Sequence, residues 1–189
     1  MSSDQVLLDR FLAGDRRAFD ELMLRHEDRV FGLGLRMLGN REDALEAAQE
    51  TFLTVFRKAH QFSGRSAFGT WLYRVAMNTC YDRLRKAKRR HTVAMPESSD
   101  PPDLASQDAL VSVELRPDIV EALTSLQPEF RSAILLVDLE DLPLEEAAQI
   151  LHVPVGTVKS RVHRGRKLLA QTLRNFRDVS VHQKDDDYA

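Results

Sequence analysis

Apolar positions recur at helical spacing along most of this chain. The first run predicts a helix over about 4–13, stopped by Gly14, with Asp15 placed to cap the next. A long second helix carries Phe19, Leu22, Val30, Leu33 and Leu38 on one side and ends at Gly39-Asn40. A third covers about 41–59, a polar loop follows from His60 to Ser66, and a fourth spans about 67–88. The pattern then fails. Val93-Ala-Met-Pro-Glu-Ser-Ser-Asp-Pro-Pro-Asp103 has no period and three prolines, so it reads as a linker. Periodicity resumes near Pro117, with helices expected at 118–126, 128–139 and 144–151 and from about Gly156 onward. The expected fold class is all-α: two small helical domains, 1–90 and 116–177, joined by a flexible linker at 91–115. An acidic tail is expected at 178–189, its end from Lys184 to Ala189 disordered.

Composition narrows this little further. Eight glycines and seven prolines are few for a turn-rich β fold, and the one cysteine, Cys80, excludes an intramolecular disulfide and a Cys-based zinc cluster. No apolar run approaches the ~20 residues that cross a bilayer, and the acidic, amphipathic start is unlike a secretory signal. Cytoplasmic localisation without membrane insertion is the expectation.

Charge changes the picture more. The 27 Lys/Arg and 29 Asp/Glu give a net −2 that hides blocks. Residues 57–90 hold 10 cations against 1 acid, and 157–177 hold 7 against none; between them, 91–156 hold 2 against 13. Two basic blocks fit two contacts with a polyanion, and equally fit solvated helix faces.

The last helix separates these readings. The helix 144–151, the turn His152-Val-Pro-Val155 and the basic helix after it have helix-turn-helix proportions. Pro154 blocks continuation of the first helix, and Thr157 is placed to cap the second. Projected at 100° per residue, Val158, Val162, Gly165, Leu169 and Thr172 fall on one side, within about 40° of Val158. Ser160, His163, Arg164, Lys167 and Gln171 lie opposite, flanked by Lys159 and Arg166. One face docks on its own domain and the other offers donors to a DNA groove, where Arg reaches guanine and Lys or Ser holds phosphate.

In the first domain, Ala44, Ala48, Phe52, Val55 and Ala59 form the expected core stripe of the third helix. Its other side sets Leu45 and Leu53 among Glu42, Glu46 and Gln49, which suits a docking face for a partner helix or a pair of ordinary surface leucines. On the fourth helix, Leu72, Tyr73, Ala76, Met77, Cys80 and Leu84 face the core. Trp71, Arg74, Asn78, Tyr81, Asp82 and Arg85 face outward and run into Arg85-Lys-Ala-Lys-Arg-Arg90. Rings, amide and cations in this order suit single-stranded nucleic acid, whose bases stack and whose extruded edges pair. With the loop residues Phe62, Ser63, Arg65, Ser66 and Phe68 they form a candidate site, although the rings would equally well cap the core. No phosphate-cradling glycine loop, zinc-hydrolase motif or serine elbow is present, so no enzyme, metal or cofactor is expected.

Three stretches together resemble the RNA polymerase sigma factors of the extracytoplasmic-function (ECF) type. They are Asp43-Ala-Leu-Glu-Ala-Ala-Gln-Glu-Thr-Phe-Leu53, the segment from Phe62 to Asn78, and Pro154-Val-Gly-Thr-Val-Lys-Ser-Arg161. The resemblance covers about 4–90 and 117–175. It implies an alternative sigma factor with region 2 and region 4 domains that binds core RNA polymerase, recognises the minus-ten and minus-thirty-five promoter elements and promotes strand opening. Asp43, Leu45, Glu46, Gln49, Glu50 and Leu53 would dock on the β′ clamp helices, and region 4 on the β subunit. The Phe62–Phe68 loop and Asn78 would capture a flipped minus-ten base, with Trp71 and the Arg83–Arg90 run supporting melting. Thr157, Lys159, Ser160, Arg161, His163, Arg164, Arg166 and Lys167 would meet the minus-thirty-five element. The family is typically restrained by an anti-sigma factor, which the resemblance implies as a further partner. Three positions depart from common family usage: Pro143 replaces a capping Ser or Thr, His152 replaces a small turn residue, and Asp82 replaces a neutral polar one.

Overall fold

The computed structural model describes residues 3–64, 66–93 and 117–186, with side chains for 3–64, 66–90 and 118–175. The chain divides into two compact units, 1–113 and 114–189. Every regular element among the described residues is helical.

In the first unit, α1 (Asp4–Leu12) and α2 (Arg16–Leu38) pack through Leu7, Leu8, Ala18 and Leu22. Asp15 caps α2 by accepting from the Arg17 amide at 3.1 Å. Asp4 ties the start of α1 down: its carboxylate meets Arg25 at 2.7 Å and His26 Nε2 at 2.8 Å. Gly39, at φ 84°, ends α2 in the left-handed region that glycine adopts without strain. Asn40 then caps α3 (Arg41–Lys58), its side chain accepting from the Asp43 amide at 2.7 Å.

The expected core stripe of α3 is rotated in the structure. Ala44, Ala47, Thr51 and Val55 are buried, while Ala48 and Phe52 move to the edge. The cause is Gly34 of α2. A Cβ there would sit 3.3 Å from the Ala44 carbonyl oxygen, so α2 and α3 meet nearly backbone to backbone, and only small side chains fit between them. A short 3₁₀ turn (Ala59–Gln61) leads to the loop and to α4 (Phe68–Val93), whose Leu72, Tyr73, Ala76, Met77 and Cys80 are buried as expected and whose Leu84 is half-buried. This helix runs beyond the expected end at 88, since no breaker precedes Pro96. The expected linker lies, from residue 94, outside the described residues.

The second unit holds α5 (Pro117–Thr124), α6 (Pro128–Ile134), α7 (Leu144–Leu151) and α8 (Val155–Asp186). Buried Arg131 of α6 donates to the carbonyls of Thr124 and Leu126 (2.8 Å to the latter), closing the C-terminal end of α5. The helix expected over 128–139 is not uniform: Leu135–Leu139 form a π turn, with the Glu140 amide donating to the Leu135 carbonyl at 2.9 Å. His152 ends α7 at φ 53°, ψ 43°, the left-handed turn for which a small residue is commoner, and Pro143 supplies no side-chain cap. Thr157 is not the cap of α8. The helix begins a turn earlier, and the Pro154 carbonyl accepts from Thr157 (2.9 Å) and Val158 (3.2 Å). Residues 178–186, placed in the acidic tail, continue α8, including Lys184–Asp186, which were expected to be disordered, in keeping with the absence of any Gly or Pro after Gly165; 187–189 lie outside the described residues.

Candidate nucleic-acid and partner interfaces

The rotation of α3 creates a groove. With Ala44 and Ala47 turned into the core, Leu45, Gln49 and Leu53 line a space of about 680 Å³ between α2 and α3, over Met23, Phe31 and Phe52. Leu45 is 44% exposed, Leu53 54% and Phe56 45%, an unusual concentration of apolar surface on one helix. The Arg41 guanidinium lies 5.5 Å above the Phe31 ring, and Glu27 and Asp28 stand at the rim. An apolar floor with a mostly acidic edge suits an amphipathic helix with cationic flanks.

The six residues expected to bind polymerase therefore split into two rows. Leu45, Gln49 and Leu53 belong to the groove. Asp43, Glu46 and Glu50 face α4, where Arg83 gathers them: its guanidinium lies 2.8 Å from Asp43, in contact with Glu46 and 3.8 Å from Glu50. Burial works against the Asp43 charge, but hydrogen bonds from Arg83 and Asn40 outweigh it and hold the carboxyl below its ordinary range. Arg83 is only 18% exposed. It cannot serve the DNA backbone as expected of the Arg83–Arg90 run; the cations after it, Arg85 to Arg90, are exposed.

The loop and α4 sort the rings differently from the expectation. Trp71 (7% exposed) and Phe68 (6%) are core residues, and with Phe62 they form a three-ring cluster at centroid distances of 5.3–6.0 Å. Phe68 also lies 5.6 Å from the His26 ring. Open stacking on a base is thus closed to Trp71 and Phe68, because placing these large rings in water costs more than a partial stack returns. Phe62, half-buried, is the outer ring; Ser63 is exposed, Ser66 half-buried, and Arg65 lies outside the described residues. Gly64 turns the loop at φ 68°. Along the outer face of α4, Asn78 and Asp82 are exposed, while Arg74 and Tyr81 are half-buried. Asp82 pairs with Arg85 at 2.9 Å, which offsets the repulsion of phosphate expected from an acid there.

In the second unit Val158, Val162 and Gly165 are buried, whereas Lys159, Ser160, His163, Arg164, Arg166 and Lys167 are exposed. Thr157 and Arg161 are half-buried flanks, and the Ser160 hydroxyl donates to the Thr157 carbonyl at 2.9 Å, leaving its lone pairs as acceptors. Gly165 permits the close approach to α6: a Cβ there would stand 2.7 Å from Ile134 Cδ1. Arg166 is paired with Asp138, a contact that sequence reasoning missed because the two are 28 residues apart. The groove residues Met23, Phe31 and Phe56 were missed as well. Positions 45, 52, 53 and 56 do form a second apolar stripe at helical spacing, which was the available signal.

A groove for a partner helix and a cationic helix-turn-helix in one chain define a DNA-binding factor that works on a larger assembly. Comparison with known proteins agrees. Residues 22–90 match the Sigma-70 region 2 family and 116–169 match Sigma-70, region 4. The chain is 36% identical over 173 residues to the ECF RNA polymerase sigma factor SigW of Bacillus subtilis, covering 86% of this chain and 92% of that one. It is 34% identical to the RNA polymerase sigma-H factor of Pseudomonas aeruginosa, covering 90% of this chain and 93% of that one. The sigma factor RpoE of Bartonella quintana, solved in complex with the anti-sigma factor NepR, superposes with a TM-score of 0.66 at 26% identity, covering 82% and 96%. The chain belongs to the sigma-70 family, in its ECF group. It is an alternative sigma factor, a DNA-binding transcription initiation factor that binds core RNA polymerase and recognises promoters. No helix among the described residues is long and apolar enough to cross a membrane.

Proposed function

We propose that the first unit (about 1–90) is both the polymerase anchor and the minus-ten reader, and that the second (about 116–177) reads the minus-thirty-five element. The α2–α3 groove receives the β′ clamp helices through Leu45, Gln49 and Leu53, with Asp43, Glu46 and Glu50 supporting from the Arg83 side. On α4, Asn78 pairs with the edge of a base extruded from the non-template strand, beside Phe62 and Ser63. Arg74, Arg85 and the cations up to Arg90 follow its phosphates. The buried rings of Phe68 and Trp71 give this site its rigid backing. In the second unit, Lys159, Ser160, His163, Arg164 and Lys167 enter the major groove, and the β subunit supports this unit on the polymerase. The factor works in the cytoplasm and contributes binding energy alone: stabilising the extruded base shifts the duplex toward opening, and no covalent step is involved.

The observation that carries this reading is the division of α8, with Val158, Val162 and Gly165 buried and the cations of the same helix turned outward. An anti-sigma partner is proposed from relatives, since the RpoE structure is a complex with the anti-sigma factor NepR. Reconstitution tests the whole: purified protein added to core RNA polymerase should give promoter-dependent transcription. A palindromic footprint without polymerase would instead define a stand-alone regulator.

A further inference from the structure

Lys159, His163 and Arg166 stand at i, i+4 and i+7, so they form one exposed row along the flank of α8. Arg166 is the member held from outside the helix. Its Nε–H donates to Asp138 Oδ2 at 2.9 Å and its Nη2–H to Oδ1 at 2.5 Å. This side-on pair occupies one edge of the guanidinium. The opposite edge keeps the two N–H groups of Nη1 and one of Nη2, a second fork that fits two acceptors at once. The Arg166 side chain remains 61% exposed despite the pair, so the fork is accessible. Asp138 reaches this place because the π turn Leu135–Leu139 shifts the residues after Ile134 out of the register of a continuous α-helix.

We infer that Asp138 is a positioning residue for promoter recognition, holding Arg166 in the orientation in which its free fork meets paired acceptors on the duplex. The inference rests on α8 being the DNA-reading helix. An unrestrained arginine must give up rotamer freedom when it binds, whereas Arg166 has already done so. The free fork fits the O6/N7 edge of guanine or two oxygens of a phosphate, and these differ in what they do to sequence preference.

The test uses holoenzyme assembled from core RNA polymerase and the full chain, presented with promoter duplexes randomised over the upstream recognition element. Wild type, Arg166→Ala, Asp138→Ala, Asp138→Glu and the double alanine variant are compared for affinity and for the sequences enriched. Asp138→Ala should weaken binding about five- to tenfold. If the fork reads guanine, the loss falls on one base pair of the element; if it holds phosphate, it is uniform across sequences. In either case Asp138→Glu should recover part of the affinity, and Asp138→Ala should cost nothing further once Arg166 is alanine. Equal loss in the Arg166→Ala background would mark a merely structural aspartate and overturn the inference, as would tighter binding by Asp138→Ala, which would mark a brake. Wild-type holoenzyme that enriches no upstream sequence would overturn the promoter reading of α8 itself.

Discussion

Gly165→Ala sets two effects of known sign against each other in the second unit. Alanine in a helix interior is favoured over glycine by about 1 kcal/mol. Against this, the new methyl would stand 2.7 Å from Ile134 Cδ1, 3.2 Å from Ile134 Cγ1 and 3.3 Å from Phe130 Cβ. Ile134 is 2% exposed and has little room to turn away, so overpacking should cost about 1–3 kcal/mol. The net expectation is a loss of about 1 kcal/mol, confined to the contact between α6 and α8. Ile134→Val removes the clashing Cδ1 and by itself should cost about 0.5–1.5 kcal/mol. Combined with Gly165→Ala, however, it vacates the volume the methyl needs. The double variant should therefore be more stable than the sum of the singles by about 1–2 kcal/mol. Because the chain has two units, a single unfolding midpoint is not a clean readout. Hydrogen exchange of peptides covering 128–139 and 155–169 in the full chain resolves the local stability. If Gly165→Ala is as stable as wild type there, or if Ile134→Val is simply additive with it, then α8 is not seated on α6 through this contact.

The first unit offers three checks. Arg83→Met should cost about 1 kcal/mol, a modest figure because Asp43 and Glu46 remain about half exposed. The Asp43 carboxyl lies below its ordinary 3.8 in the folded state, so its contribution is complete above that value and is lost as the pH falls below it. Urea melts followed by Trp71 fluorescence should show that acid loss in wild type and a flatter profile in Arg83→Met; equal profiles would contradict the ion cluster. Burial pushes the Cys80 thiol up to about 12, so the native protein should resist thiol reagents near pH ~8 and react only on unfolding; rapid labelling of folded protein would show the α4 core to be open. Asn78→Ala, a change at an exposed residue, should leave polymerase binding and stability intact while reducing permanganate reactivity of promoter thymines; normal reactivity would remove Asn78 from the opening step.

Helix positions and the helix-turn-helix were legible because they follow from local signals: Asp15 as a cap, Gly39-Asn40 as a stop, and apolar spacing. The docked face of α8 was legible for the same reason, down to Gly165. What was not legible depends on contacts distant in sequence. The close approach at Gly34 decides which side of α3 is core, and it lies 10 residues from Ala44 on another helix. That single contact converted Ala48 and Phe52 from expected core to groove wall. Trp71 and Phe68 carried a propensity for both base stacking and burial, and only the Phe62 ring folding over them decided it. Arg83 and Arg166 read as members of cationic runs. Their carboxylate partners lie up to 40 residues away, so neither pairing could be read locally; it takes the largely buried Arg83 into protein contacts and leaves Arg166 exposed but held.

These ion pairs bear on how a nearly neutral chain selects DNA. With a net charge of −2, the free protein has little long-range attraction for a polyanion, and beyond a Debye length of roughly 8–10 Å its basic faces are screened. Pairing Arg83 and Arg85 with Asp43 and Asp82 reduces the cationic surface of the first unit further. Each unit alone should thus bind duplex weakly and with a shallow salt dependence. Docking the α2–α3 groove on polymerase changes this without altering any DNA contact, because the second contact then forms at an effective concentration set by the tether between the units. Leu53→Asp places a charge in the groove at a residue already 54% exposed, so it should leave folding intact and abolish promoter binding along with polymerase binding. If that variant still bound promoter DNA with wild-type affinity when mixed with core enzyme, selectivity would have to reside in the isolated chain, and the acidic partners of its arginines would have no part in it.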